Sequence, residues 1–244
     1  MTGTLTIAGL GPGSDALVTP EVSAALAAAT DILGYAPYVS RVSPRAGLTL
    51  HPSDNREELQ RAREALRLAA EGAQVVVVSS GDPGVFAMAS AVFEALEQAP
   101  QWQKLLIRVL PGVTAMLAAA ARAGAPLGHD FCAINLSDNL KPWAVIEKRL
   151  RLAAEADFAI ALYNPRSANR PEGFGRALAV LKQAGCGERL VIFARAVSAP
   201  DEKIETVTLN QATPEMADMR TLVIVGNSQT RRVGRWIYAP RQVR

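Results

Sequence analysis

Two glycine-bearing stretches contain the residue types that could hold a ligand. Gly9-Leu10-Gly11-Pro12-Gly13 closes the apolar run from Leu5, and Gly81-Asp82-Pro83 follows Val75-Val76-Val77-Val78 and two serines. Four consecutive valines suit a strand buried on both faces of a parallel sheet. Open α/β sheets bind ligands beyond the carboxyl ends of such strands, where glycine lets backbone approach closely. A carboxylate at Asp82 would repel phosphate but can accept from ribose hydroxyls. The loop therefore reads as a nucleoside site without phosphate emphasis, or as a tight turn in which Asp82 caps a helix. The first loop departs from the dinucleotide fingerprint: Ser14 stands where the third glycine of G-x-G-x-x-G belongs, and Pro12 removes a donor that a pyrophosphate would use.

Further candidates lie elsewhere. Tyr35 and Tyr38 flank a proline-restricted turn and could line a pocket for a large planar molecule, or simply pack. His129 beside Asp130 could form an acid–base pair, although neighbours on a strand point to opposite faces. Asp138 closes the apolar run from Ala133, where it could face a ligand or cap the next segment. Tyr163-Asn164-Pro165-Arg166 ends a strand at a turn. Cys132, Cys186, His51 and His129 have no metal-ligand spacing, so no metal site and no disulfide framework is expected.

The elements that must position these residues follow from pattern. Thr19-Pro20-Glu21 opens a helix to about Ala29, with a cap, a proline at the first turn and an acid near the positive end. Asp31 to Tyr35 reads as a strand. Asp54-Asn55-Arg56-Glu57 resembles a capping box, followed by Leu59, Ala62, Leu66 and Ala69 at helical spacing, with the arginines and glutamates on a solvated face. Val85 to Leu96 reads as a helix, Leu105 to Leu110 as a strand and Thr114 to Ala123 as a helix of small residues. Helices are also expected at Trp143 to Ala153 and at Phe174 to Ala184. Strands are expected at Phe158 to Tyr163, Leu190 to Val197, Glu205 to Leu209 and Thr221 to Val225. The expectation is two α/β domains: residues 1–113 with a parallel sheet and residues 114–244 with a mixed one, a binding cleft lying between them.

The 244 residues are 49% hydrophobic and 20% charged, as in an ordinary globular protein. With no apolar stretch of membrane-spanning length and no basic region ahead of an apolar core, a cytoplasmic protein without membrane contact is expected. The net charge of +3 conceals a basic tail: after Asp218 come Arg220, Arg231, Arg232, Arg235, Arg241 and Arg244 and no acid. Such a tail could meet a polycarboxylate, an acidic partner or RNA, or be a solvated end. The absence of basic-aromatic interleaving argues against nucleic acid.

Taken in order along nearly the whole chain, Gly9 to Gly13, Gly81-Asp82-Pro83, Pro111-Gly112-Val113-Thr114-Ala115 and Tyr163-Asn164-Pro165 resemble the tetrapyrrole (corrin/porphyrin) methyltransferase family. Ile32 to Tyr38, Leu127 to Ile134 and Tyr163 to Ser167 are similar to the branch that methylates precorrin-3B at C-17 and contracts the ring to precorrin-4. The cobalt-factor III enzymes share these motifs. The resemblance implies a homodimer with S-adenosylmethionine bound in the interdomain cleft, leaving as S-adenosylhomocysteine, and a tetrapyrrole substrate. The cofactor contacts it implies are Leu10, Pro12, Gly81, Asp82, Val85, Thr114, Ala115, Leu162, Tyr163, Ala194, Ala196 and Thr221. Tyr35, Tyr38 and Arg166 are the implied substrate residues, and His129, Asp130 and Asp138 the candidates for proton handling during ring contraction. Family relatives that act on RNA or on a protein, and a non-reacting corrinoid carrier, are the rival readings.

Overall fold

The computed structural model describes residues 3–54 and 56–242. The chain divides into two compact units, Met1–Thr114 and Ala115–Arg244.

In unit 1, strands β1 (Thr4–Gly9), β2 (Asp31–Tyr35), β3 (Thr49–Ser53), β4 (Gln74–Ser79) and β5 (Leu106–Leu110) form one sheet in the order β3-β2-β4-β1-β5, and every pairing is parallel. Helices α1 (Pro20–Ala28), α2 (Ala36–Val39), α3 (Glu58–Ala70) and α4 (Met88–Glu97) connect them. The valine run occupies the central strand as expected. Val75 and Val77 face the core built with α3 and α4, while Val76 and Val78 face the core that includes Val22 of α1. Alternation along a strand supplies both layers, so one apolar run anchors both faces of the sheet.

The ends of these helices show which local signals prevail. Thr19 caps α1 by accepting the Val22 N–H at 3.3 Å, and Pro20 occupies the first turn. Asn55 of the expected capping box lies outside the described residues. Glu57 accepts the Asp54 N–H at 3.1 Å, and the helix itself begins at Glu58. The helix expected from Val85 begins at Met88 instead, because the chain first makes a loop in which Phe86 takes a left-handed φ of 54°. β3 escaped the pattern reading: its sequence Thr-Leu-His-Pro-Ser lacks an apolar run and contains Pro52. It is an edge strand, where the missing N–H is tolerated.

Unit 2 contains α5 (Ala115–Ala123), β6 (Gly124–Ala125), β7 (Phe131–Asn135), α6 (Trp143–Glu155), β8 (Ala159–Tyr163), α7 (Gly173–Gln183), β9 (Leu190–Arg195), β10 (Lys203–Thr208), β11 (Thr221–Val225), β12 (Arg231–Val233) and β13 (Trp236–Tyr238). Its larger sheet runs β10-β9-β11-β8-β7, antiparallel except for the β7–β8 pair, which gives the mixed sheet expected. Phe174 of α7 meets Phe193 of β9 edge-on in a core that includes Ile146 and Leu150 of α6. The alanine-rich α5 packs on β11, where small side chains permit close approach. The basic tail is both structured and solvated: β12 and β13 pair antiparallel and β13 runs parallel to β6, while Arg220, Arg231, Arg232, Arg235 and Arg241 are exposed. Arg244 lies outside the described residues.

Candidate functional site

Three loops of unit 1 meet backbone to backbone at the carboxyl ends of β1, β4 and β5. Gly11 and Gly81 exchange N–H···O bonds of 3.2 and 3.0 Å, and the Leu10 N–H reaches the Ser79 carbonyl at 2.8 Å. A Cβ on Gly9 would lie 2.5 Å from the Gly81 carbonyl oxygen, and one on Gly112 would collide with the same atom. The glycines here make room for other backbone. Gly11 and Gly81 also adopt φ of 66° and 62°, which side chains resist.

Asp82 fastens this arrangement. Its Oδ1 accepts the Gly84 N–H at 2.8 Å and its Oδ2 the Gly112 N–H at 3.1 Å, tying the loop after β4 to the loop after β5. It is not a helix cap, since α4 begins six residues later. The N-cap of α4 is Ala87, and the Oγ of Ser79 at the end of β4 accepts the Met88 N–H at 3.3 Å. Leu10 and Thr114 are buried, whereas Pro12 and Val85 are partly open. All of these residues follow the carboxyl ends of strands in the same sheet.

Tyr35 ends β2 and Tyr38 follows it at that same edge, their rings edge-to-face at 5.3 Å. Burial and then the neighbouring Tyr35 push the Tyr38 hydroxyl above its ordinary pKa, against the opposing pull of Arg61, Arg41 and a hydrogen bond with Ser80. Arg61 corrects the sequence reading, and Arg41 adds to it. Arg61, assigned above to a solvated face, is 5% exposed and donates to Ser53 Oγ at 2.7 Å, Asp54 O at 2.6 Å and Met88 Sδ at 3.2 Å. The signal was available, because Arg61, Ala65 and Ala69 share one row of α3 at four-residue spacing. Arg41 donates to the carbonyls of Leu10 at 2.8 Å and Gly11 at 3.1 Å, so it binds the glycine loop to the chain following the Tyr35/Tyr38 turn. No motif announced it.

In unit 2 the nominated cofactor residues also gather at one sheet edge. Leu162 and Tyr163 end β8, Ala194 and Ala196 lie at the end of β9, and Thr221 begins β11, which runs the other way. The Tyr163 hydroxyl accepts the Met116 N–H at 3.2 Å, tying β8 to the first turn of α5, which Ala115 opens. Thr221 donates to Asp218 Oδ1 at 2.7 Å. Burial would raise the Asp218 pKa, but hydrogen bonds from Thr221 and Arg195 outweigh it and hold the carboxyl below its usual range.

Strain concentrates at these edges. Of the five non-glycine residues with positive φ among the described residues, Phe86 follows β4, Asn164 follows β8, and Ala196 and Ser198 follow β9. Such conformations cost of order 1–3 kcal/mol each and persist where surrounding structure enforces them, commonly at functional sites.

The proton-handling candidates are not brought together. His129 and Asp130 precede β7, with Nδ1 and Oδ2 3.6 Å apart and the Asp130 side chain 78% exposed. Asp138 follows β7, at the edge that also holds Tyr163 and Arg166. The five residues of β7 separate the two groups by roughly 16 Å at ~3.3 Å per residue. Among the described residues, no group of three or more His, Cys, Asp or Glu side chains could hold a metal, and no helix is long and apolar enough to cross a membrane.

Glycine loops and strained turns at the strand ends of two α/β units agree with the match of residues 4–213 to the tetrapyrrole (corrin/porphyrin) methylases. The chain belongs to this family. It is 54% identical to the precorrin-3B C(17)-methyltransferase of Sinorhizobium sp, over 99% of this chain and 97% of that protein. The crystal structure of the methyltransferase CobJ superposes with a TM-score of 0.96 at 67% identity, covering 98% of this chain and all of the other. The uroporphyrin-III C-methyltransferase of Thermus thermophilus, solved with S-adenosylhomocysteine, is 23% identical over 92% of this chain and 97% of its own, with a TM-score of 0.69. At that identity the likeness is one of fold.

Proposed function

We propose that this protein transfers the methyl group of S-adenosylmethionine to C-17 of precorrin-3B, with ring contraction to precorrin-4, in cobalamin biosynthesis. The observation that carries the reading is the 54% identity to a precorrin-3B C(17)-methyltransferase along almost the full length of both chains. The donor reading draws on the fold shared with a protein solved with S-adenosylhomocysteine.

On this reading, residues 1–113 and 114–244 are the two domains, and each contributes a fixed edge. Leu10, Pro12, Gly81, Asp82 and Val85 offer main chain and small side chains to the nucleoside. Thr114, Ala115, Leu162, Tyr163, Ala194, Ala196 and Thr221 do so from the second domain. Methyl transfer is an in-line displacement from a sulfonium, so rigid placement of donor and nucleophilic carbon about 3 Å apart supplies much of the rate. The rigidity of the loops is their contribution to catalysis. Tyr38, held neutral across the physiological range, can donate or accept without bringing a charge to the ring. Asp138 is placed better than His129 or Asp130 for proton handling near Tyr163 and Arg166, because it follows the same parallel strand pair at the same end. The enzyme is cytoplasmic and homodimeric in this proposal, acting on neither nucleic acid nor membrane.

Mass spectrometry after incubation with S-adenosylmethionine and either precorrin-3B or cobalt-factor III tests the reading. One added methyl on a contracted metal-free ring is expected. Reaction with the cobalt compound alone would move the protein to the cobalt-dependent route, and reaction with neither would overturn the assignment.

A further inference from the structure

The loops after the parallel strands β7 and β8 in unit 2 gather three cations. Lys141 donates to Ser137 O at 3.0 Å, the Ser137 N–H donates to Asn135 Oδ1 at 2.9 Å, and Asn164 donates to that same oxygen at 3.1 Å. Arg170 completes the chain through a 3.4 Å contact to the Asn164 carbonyl, and its backbone forms a two-way bridge with Ser167. One continuous network thus fixes an ammonium and a guanidinium at the ends of adjacent strands.

Arg166 lies in the second of these loops, with its Nε buried and no acceptor near it. Among the described residues none of the three cations forms an ion pair, whereas Arg67, Arg151, Arg189, Arg195 and Arg220 each do. All three are half-buried, with Asp138 acting on Lys141 and Arg166 on Glu215 at longer range. Burial, Arg149 and Arg170 together lower the Lys141 pKa, with only Asp138 opposing, which is how an ammonium behaves in a positive neighbourhood. The same loop exposes Leu140 almost completely, at 99%. An exposed apolar residue on loops that carry three cations matches a flat apolar ring edged with carboxylates.

We propose that Leu140, Lys141, Arg166 and Arg170 form a docking platform for the substrate, Leu140 lying against the macrocycle while the three cations take its peripheral carboxylates. The inference rests on the tetrapyrrole-methylation reading and adds the residues that recognise the ring's charged rim. Guanidinium forks suit carboxylates bidentately. Substrate recognition then depends on salt and carboxylate number, while donor binding does not.

The test uses the full chain and two probes, an octacarboxylate and a tetracarboxylate porphyrin, followed by fluorescence quenching, with S-adenosylhomocysteine binding measured in parallel by calorimetry. The wild type should bind the octacarboxylate more tightly and lose affinity as salt rises. Lys141→Met and Arg170→Met should each weaken it at least about tenfold, the loss of one charge-assisted hydrogen bond. Leu140→Ser, at a fully exposed position where folding is not at stake, should weaken both porphyrins equally and leave S-adenosylhomocysteine binding unchanged. Arg170→Lys should restore part of the affinity lost in Arg170→Met. Wild-type turnover of precorrin-3B with unchanged KM in all three weakening variants would overturn the platform while leaving the activity standing. Absence of wild-type turnover on either precorrin-3B or cobalt-factor III, with the probe effects intact, would overturn the activity instead.

Discussion

The carboxyl ends of the strands are secured by different means in the two units. In unit 1 the loops after β1, β4 and β5 touch through main chain, with Gly9, Gly81 and Gly112 in contact and Asp82 and Arg41 spent on backbone N–H and carbonyl groups. In unit 2 side chains do the fastening: Tyr163 to Met116, Asn164 to Asn135, and Thr221 to Asp218. The unit 1 edge is held by backbone packed on backbone, with the Asp82 and Arg41 charges turned onto main-chain groups. The unit 2 edge is held by polar side chains instead.

If unit 1 depends on main-chain contact, Gly112→Ala should be the most damaging single change. The added methyl meets the Gly81 carbonyl, and overpacking against backbone should cost about 3 kcal/mol. Chemical denaturation would show it, and a midpoint close to wild type would mean that the loops can separate. Arg41→Met comes next, leaving the Leu10 and Gly11 carbonyls without their charged donor at a cost of about 2 kcal/mol. Its expected signature is a raised KM for S-adenosylmethionine with the porphyrin affinity unchanged, partly restored by Arg41→Lys.

Asp82→Ala separates two roles. Loss of its clamp on Gly84 and Gly112 should lower stability and donor affinity together, by roughly 1–3 kcal/mol. Weakened donor binding at unaltered stability would instead mean direct contact with ribose hydroxyls, and no change in either would leave the loop self-supporting.

Acid should affect unit 2 through Asp218. Its folded pKa is depressed, so its contribution is present above the ordinary carboxylate value and is lost as pH falls through the folded one. Thermal melts between about pH 5 and pH 2 should therefore decline less steeply in Asp218→Asn than in wild type. Equal slopes would remove the Asp218–Thr221 contact from the account of that edge.

The smallest effect is expected at Ala196, whose φ of 49° is strained for alanine. Relief of about 1–2 kcal/mol in Ala196→Gly is offset by ~0.5–1 kcal/mol of added chain entropy, for a net gain of about 0.5 kcal/mol. A loss of stability would show that the methyl packs usefully.

The sequence alone determined the central strands of both larger sheets, since the all-buried run of Val75 to Val78 and the β-branched runs of β8, β9 and β11 are local patterns with one stable outcome. It also marked both glycine loops, because backbone that must approach backbone leaves glycine as its trace. Tertiary structure decided what those patterns leave open. Arg61 became buried and Arg41 became a clamp because their partners lie in other elements, and no spacing within the chain encodes that meeting. β3 became a strand because a neighbouring edge was available to a segment with little preference of its own. His129 and Asp138 were divided by the length of β7, for residues near in sequence are drawn apart when the chain between them is extended.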